Sequence, residues 1–177
     1  MTFRTYATLH RLGLIKQESE DELKQAPCPA TLCGKPVPKN LNELTMDQLT
    51  DLMSINADTE LDTFRVILGI DPRQLAKQPA VDVVGTANFF QKELERITDL
   101  FDQLKPHYSK EEREAGIEQL NHGIFGTIDW YARRMGISDH DEVLKVQWIK
   151  VWQCAKIDKE NNEYDKRYRE VVANQNK

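Results

Sequence analysis

Apolar residues recur along this chain at every third or fourth position, the spacing of one helix face. The strict alternation of a half-buried strand is missing over any useful length, apart from a short extended piece at 36–41. The clearest run covers residues 80–104, where Val83, Ala87, Phe90, Leu94, Ile97 and Phe101 form one continuous stripe. That stripe predicts a long amphipathic helix ended by Pro106 and weakened at Gly85 by about 1 kcal/mol relative to Ala. Upstream, Met46, Leu49, Leu52 and Met53 predict a helix over 46–55. Asn56-Ala57-Asp58-Thr59 breaks it and caps another that carries Leu61, Phe64, Ile67 and Leu68. Gly69 stands where a left-handed C-terminal cap is wanted, and a helix of one or two turns follows Pro72 until Pro79. In the second half, 110–120 presents Ala115, Ile117 and Leu120, and Asn121-His122-Gly123 breaks the chain. Ile124, Phe125, Ile128, Tyr131, Ala132 and Met135 then form a stripe closed by Gly136. The last element runs over 139–173, bent near Gln147, and carries Val143, Val146, Trp148, Ile149, Val151 and Trp152, then Ile157, Tyr164, Tyr168, Val171 and Val172.

Helix starts are signalled with equal regularity. Thr45-Met46-Asp47-Gln48, Ser109-Lys110-Glu111-Glu112 and Ser138-Asp139-His140-Asp141 each set a hydroxyl at an N-cap and a carboxylate or amide three residues on. Such pairs satisfy amide donors that the first turn leaves without partners. Asp71-Pro72 adds an acidic cap with Pro at the first helical position. Before these elements, Phe3, Tyr6, Leu9 and Leu12 predict a short helix ended by Gly13, and Ser19-Glu20-Asp21-Glu22 reads as the start of another. Pro27, Pro29, Gly34, Pro36 and Pro38 then exclude helix. The prediction is an all-α fold, an irregular bundle of five to seven helices with a projecting N-terminal arm and a long C-terminal helix. Residues 1–38 form the arm and its Pro-rich connector, and 39–177 the helical body.

Composition narrows the function more by exclusion than by assertion. A net charge of −5, with basic and acidic residues interleaved, lacks the concentrated basic face of a nucleic-acid binder. The nearest helix-turn-helix candidate, 61–75, opens on the acidic turn Glu60-Leu61-Asp62 and is a poor DNA reader. No apolar stretch is long enough to cross a bilayer, and the first residues lack the layout of a secretory signal. Three cysteines do not make a disulfide framework, so a reducing cytoplasm is the expected setting.

No catalytic constellation is legible. The chain has no His-Glu-x-x-His pattern, nucleophile elbow or phosphate-cradling glycine loop, so neither an enzyme, a cofactor nor a small-molecule substrate is expected. Cys28-Pro29-Ala30-Thr31-Leu32-Cys33 is the one close cysteine pair, but structural zinc needs four ligands. Cys154, His10, His107, His122 and His140 share no ligand spacing with it, so no metal site is assigned and two free thiols are expected. A regulatory or adaptor module with a metal-binding Cys loop is the alternative function. Contact chemistry is better represented. Trp148 and Trp152 lie one turn apart and Tyr164 and Tyr168 sit in a highly charged tail helix, where intramolecular cover is thin. Phe89 lies beside the stripe residue Phe90. Trp148, Trp152, Tyr164, Tyr168, Phe89 and Phe90 are therefore the expected contacts to a protein partner or to a second copy.

Three tracts carry a family resemblance. They are Val37-Pro38-Lys39-Asn40-Leu41-Asn42-Glu43-Leu44-Thr45-Met46-Asp47-Gln48-Leu49, then Glu114-Ala115-Gly116-Ile117-Glu118-Gln119-Leu120 running into Gly123-Ile124-Phe125-Gly126-Thr127-Ile128, and Asp141-Glu142-Val143-Leu144-Lys145-Val146-Gln147-Trp148 ahead of Glu163-Tyr164-Asp165-Lys166-Arg167-Tyr168. Over about residues 37–170 the chain resembles small helical proteins encoded in tail-gene regions of tailed bacteriophages, including tail-assembly chaperones. The residues before 36 have no counterpart, and the Cys28 to Cys33 loop departs from the pattern. The resemblance implies no enzymatic activity and no cofactor. It implies a role in virion assembly, in the host cytoplasm or in the particle itself, with another tail or virion protein as partner.

Overall fold

Helical periodicity in the sequence becomes helix in the computed structural model, which describes residues 1–12, 15, 21, 23, 25–56, 59–106, 108–120 and 122–175. Among these the protein is mostly helical, with one small β-hairpin. Nine α-helices are present among the described residues, against an expected five to seven, because the last predicted element is two helices and several others are single turns. The chain divides into two units, residues 1–44 with 48–97 and residues 45–47 with 98–177.

In the first unit, α1 (Phe3–Arg11) is capped by Thr2, whose hydroxyl accepts from the Thr5 amide. The expected arm is moored at its start. The Phe3 and Arg4 amides donate to the Gln78 and Ala76 carbonyls at 2.8 and 3.2 Å, and Ala80 N donates to Met1 O at 3.0 Å. The anticipated stop at Gly13 and most of the anticipated turn at 19–22 lie outside the described residues. The Pro-rich connector holds β1 (Thr31–Leu32) and β2 (Lys35–Pro36), antiparallel with Leu32 opposite Lys35. Cys33 and Gly34 form the turn at φ 49° and 77°, the pair of positive values that a two-residue hairpin requires. The extended piece expected at 36–41 is thus a hairpin that begins five residues earlier.

Four further helices follow: α2 (Met46–Ser54), α3 (Asp62–Leu68), α4 (Pro72–Leu75) and α5 (Ala80–Asp102). Asp71 caps α4 through the Arg73 amide, and Gly69 ends α3 in the left-handed conformation, both as the sequence predicts. α3 starts later than expected and has no side-chain cap, and Ala57 and Asp58 of the anticipated capping break lie outside the described residues. The core of this unit gathers Leu32, Leu41, Leu44, Leu49, Leu52, Phe64, Ile70, Leu75, Val83, Phe90 and Ile97. Phe64 meets Phe90 edge to face at 5.3 Å. The predicted stripe of α5 is corrected at one position. Ala87 is exposed, while Thr86 is fully buried with its hydroxyl donating to Asp82 O at 2.7 Å.

A polar clamp holds the segment just after the connector to α5. Glu93 Oε2 accepts from the Leu41 amide at 2.9 Å, and Arg96 donates to both Glu93 oxygens and, at 2.7 Å, to Asn42 Oδ1. The Arg96 hydrogen bonds hold the Glu93 carboxyl below its ordinary 4.5, with partial burial opposing and the Leu41 amide assisting. A depressed folded value means the carboxylate stabilises the fold above its unfolded value and loses that contribution as pH falls through the folded one. Glu93→Gln is therefore expected to cost about 1–2 kcal/mol at neutral pH. The difference should close well below pH 4.5, where Glu93 is itself protonated. Urea midpoints of both proteins at the two pH values check this.

The second unit opens with residues 45–47, where the Met46 amide donates to Val146 O at 2.8 Å and Thr45 forms a β-bridge with Gln147. α6 (Lys110–Glu114) carries the full capping box of Ser109 and Glu112. It stops sooner than expected, because Gly116 turns left-handed and a 3-10 turn, Ile117–Gln119, replaces the predicted continuation. α7 (Gly123–Met135) ends at a left-handed Gly136. α8 (His140–Leu144) is capped by Asp139, not by Ser138, one residue later than the hydroxyl signal suggested. α9 (Trp148–Gln175) is the long C-terminal helix, separate from α8 where a bend was expected. Met46, Ile128, Tyr131, Ala132, Val143, Trp148 and Val151 are the buried residues. The α7 stripe is narrower than predicted, since Phe125 and Met135 are exposed.

Candidate interaction surface

The six expected contact residues fall into three physical classes. Phe90 and Trp148 are core residues with 1 % and 0 % of their surface exposed, which corrects their assignment as partner contacts. Phe90 packs on Phe64 in the first unit, and Trp148 lies 5.9 Å from the Phe101 ring in the second. The reason is the phase of each stripe: both sit at its centre, where cover is complete. Phe89 and Trp152 form the second class, half-buried at the stripe edges. Phe89 tilts against Phe90 at 5.8 Å. The Trp152 indole N–H donates to Leu100 O at 2.9 Å, and Lys156 Nζ stands 5.5 Å above its ring.

Trp152 belongs to a group of side chains that fixes the first half of α9. The last turn of α5 has no basic residue of its own. Lys159 supplies one, donating its ammonium to the carbonyls of Gln103 and Lys105. A cation at a helix C-terminus answers both the unpaired carbonyls and the dipole. On the other side, Arg134 Nε donates to both Asp158 oxygens at 3.2 and 3.0 Å, and its Nη1 lies 3.3 Å from Cys154 Sγ. The sequence offered no pointer to Lys159 or Arg134, because each acts on a partner more than twenty residues away.

Tyr164 and Tyr168 make the third class. Every residue from 160 to 175 is exposed, and the two phenol rings stack on each other at 6.2 Å and 19°. Ile157, Tyr164, Tyr168, Val171 and Val172 are 50 %, 59 %, 58 %, 54 % and 37 % exposed. Spacings of seven, four, three and one residues put all five within one broad stripe of α9. Ile157, Val171 and Val172 extend the surface that the tyrosines alone suggested. The signal for them was the same periodicity, continued.

The cysteine loop has its own local order. Cys28 and Cys33 are free thiols, and burial pushes both above their ordinary value, against the Thr86 hydroxyl at Cys28 and the Lys35 ammonium at Cys33. Lys35 is held elsewhere, donating to Leu68 O and Gly69 O at 2.9 and 2.7 Å. Among the described residues no group of three or more His, Cys, Asp or Glu could hold a metal ion. The histidines that the structure describes are apart from the cysteines. His10 meets Tyr6, His122 precedes α7, and His140 lies between Asp129 Oδ1 at 3.3 Å and the Phe125 ring. His107 lies outside the described residues.

No family model, curated protein or solved structure matches the chain.

Proposed function

We propose that this chain is a non-enzymatic protein–protein interaction protein, most specifically a phage tail-assembly chaperone or a minor structural component of the virion. The observation that carries the reading is the outer half of α9, where Tyr164, Tyr168, Val171 and Val172, with Ile157 just before them, form one stripe that the other described residues leave about half exposed. The largest apolar patch on a protein surface is often functional, and a helix face of this kind suits pairing with another helix or filling a groove. A chaperone with that surface would shield apolar, helix-prone stretches of a long tail protein until they assemble.

The charged groups of the same helix support contact over chemistry. Asn162, Asp165, Lys166, Arg169 and Glu170 line a shallow hollow built from α9 alone. Among the described residues that hollow is lined by α9 alone, whereas acid–base catalysis needs groups held around a common point. No helix among the described residues is long and apolar enough to cross a membrane. Co-expression with a tape-measure or tail-tube protein tests the reading. The chain is expected to keep that partner soluble and co-purify with it, and Tyr164→Glu with Tyr168→Glu should abolish both effects. Undiminished co-purification by the double variant would remove α9 from the function.

A further inference from the structure

We propose that the outer half of α9 pairs antiparallel with the same segment of a second copy of this chain, making the protein a dimer joined through its tails. The inference rests on the reading of α9 as a contact surface and names its occupant. Two independent features favour a second copy, the first of them area. A tyrosine side chain offers 150–250 Å² for burial, so Ile157, Tyr164, Tyr168, Val171 and Val172 together leave on the order of 500 Å² uncovered at the exposures given above. Two such stripes face to face remove about 1,000 Å² from water, the lower bound for a specific interface. The exposed stretch, residues 160–175, runs about 24 Å, long enough for its apolar residues to meet in successive layers.

Charge is the second feature, and it sets the direction. Over 160–165 the helix is acidic, with Glu160, Glu163 and Asp165 and no basic residue. Over 166–175 it is basic, with Lys166, Arg167 and Arg169 against Glu170. Parallel pairing would set acid beside acid and base beside base. Antiparallel pairing about the level of Lys166 lays each acidic half along the other copy's basic half, and brings Tyr164 of each copy level with the other's Tyr168. The segment as a whole is nearly neutral, so bringing two together adds little repulsion although the chain carries −5.

Sedimentation velocity of the 177-residue chain tests this, and a dimer is expected at about micromolar concentration. Tyr164→Glu with Tyr168→Glu is expected to give a monomer whose far-UV helix signal shows the body still folded. Glu163→Lys with Asp165→Lys makes both halves of the tail net positive, and Arg167→Glu with Arg169→Glu makes both net negative. Each charge variant alone is expected to be monomeric, and an equimolar mixture to sediment as a heterodimer. A wild-type protein that stays monomeric into the submillimolar range overturns the pairing, as does a dimer that the tyrosine variant leaves intact or a charge-variant mixture that stays monomeric. None of these outcomes decides co-purification with a tail protein, so failure of self-pairing and failure of the broader reading are told apart.

Discussion

Gly85→Ala is expected to destabilise the protein by about 2–3 kcal/mol, against the gain of roughly 1 kcal/mol that helix propensity alone assigns to the same change. The contest is decided by the chain that crosses α5 at this point. A Cβ on Gly85 would stand 2.2 Å from the Pro27 carbonyl oxygen, 2.9 Å from its carbon and 3.2 Å from Ala26 O. All three are backbone atoms, so no rotamer change relieves the contact, and either the 26–27 segment lifts or α5 shifts. Lifting breaks neighbouring ties too. Asn88 Nδ2 donates to Leu23 O at 3.3 Å, and the Cys28 thiol leans on the Thr86 hydroxyl. Two readouts are therefore expected to move together in the variant: a lower urea midpoint and faster reaction of Cys28 with a thiol reagent. A raised midpoint would show that the segment does not lie on Gly85 in solution.

Gly85 also marks where sequence reasoning stops. From the chain alone it was a weak point in a helix, because propensity is local and the atom that requires glycine sits fifty-eight residues away. Local features were legible. The Ser109 and Glu112 capping box, the Asp71 cap, and the left-handed Gly69 and Gly136 ends all depend on residues within one turn. Near misses share one cause. Asp139 displaced Ser138 because both are good caps and only the Asp139 carboxylate reaches the Asp141 amide. The 110–120 helix broke because Gly116, a tolerable interior residue on paper, adopts φ 83°. Long-range polar ties left no trace in the pattern. Neither the Glu93 clamp on Leu41 nor the Lys159 cap on α5 has a periodicity to read. For the exposed stripe, periodicity pointed to α9 and could not rank its aromatics, since burial depends on what each stretch of helix faces.

That ranking yields the sharpest contrast in stability. Trp148→Ala is expected to cost about 3–5 kcal/mol, because a side chain with none of its surface in water leaves a large cavity beside Phe101. Trp152→Phe, one turn along the same helix, keeps most of the ring and loses the bond to Leu100 O, about 1 kcal/mol. Tyr164→Ala and Tyr168→Ala are expected to stay within about 0.5 kcal/mol, since both side chains are more than half exposed. Chemical denaturation at a concentration low enough to keep the chain monomeric separates these values from any contribution of self-pairing. The order of the three costs matters more than their size. A tyrosine substitution as damaging as Trp148→Ala would mean that the outer half of α9 folds back on its own chain, leaving no bare stripe for a partner. The expected gradient, steep at Trp148 and flat beyond residue 160, is that of a helix rooted at one end and open to contact at the other.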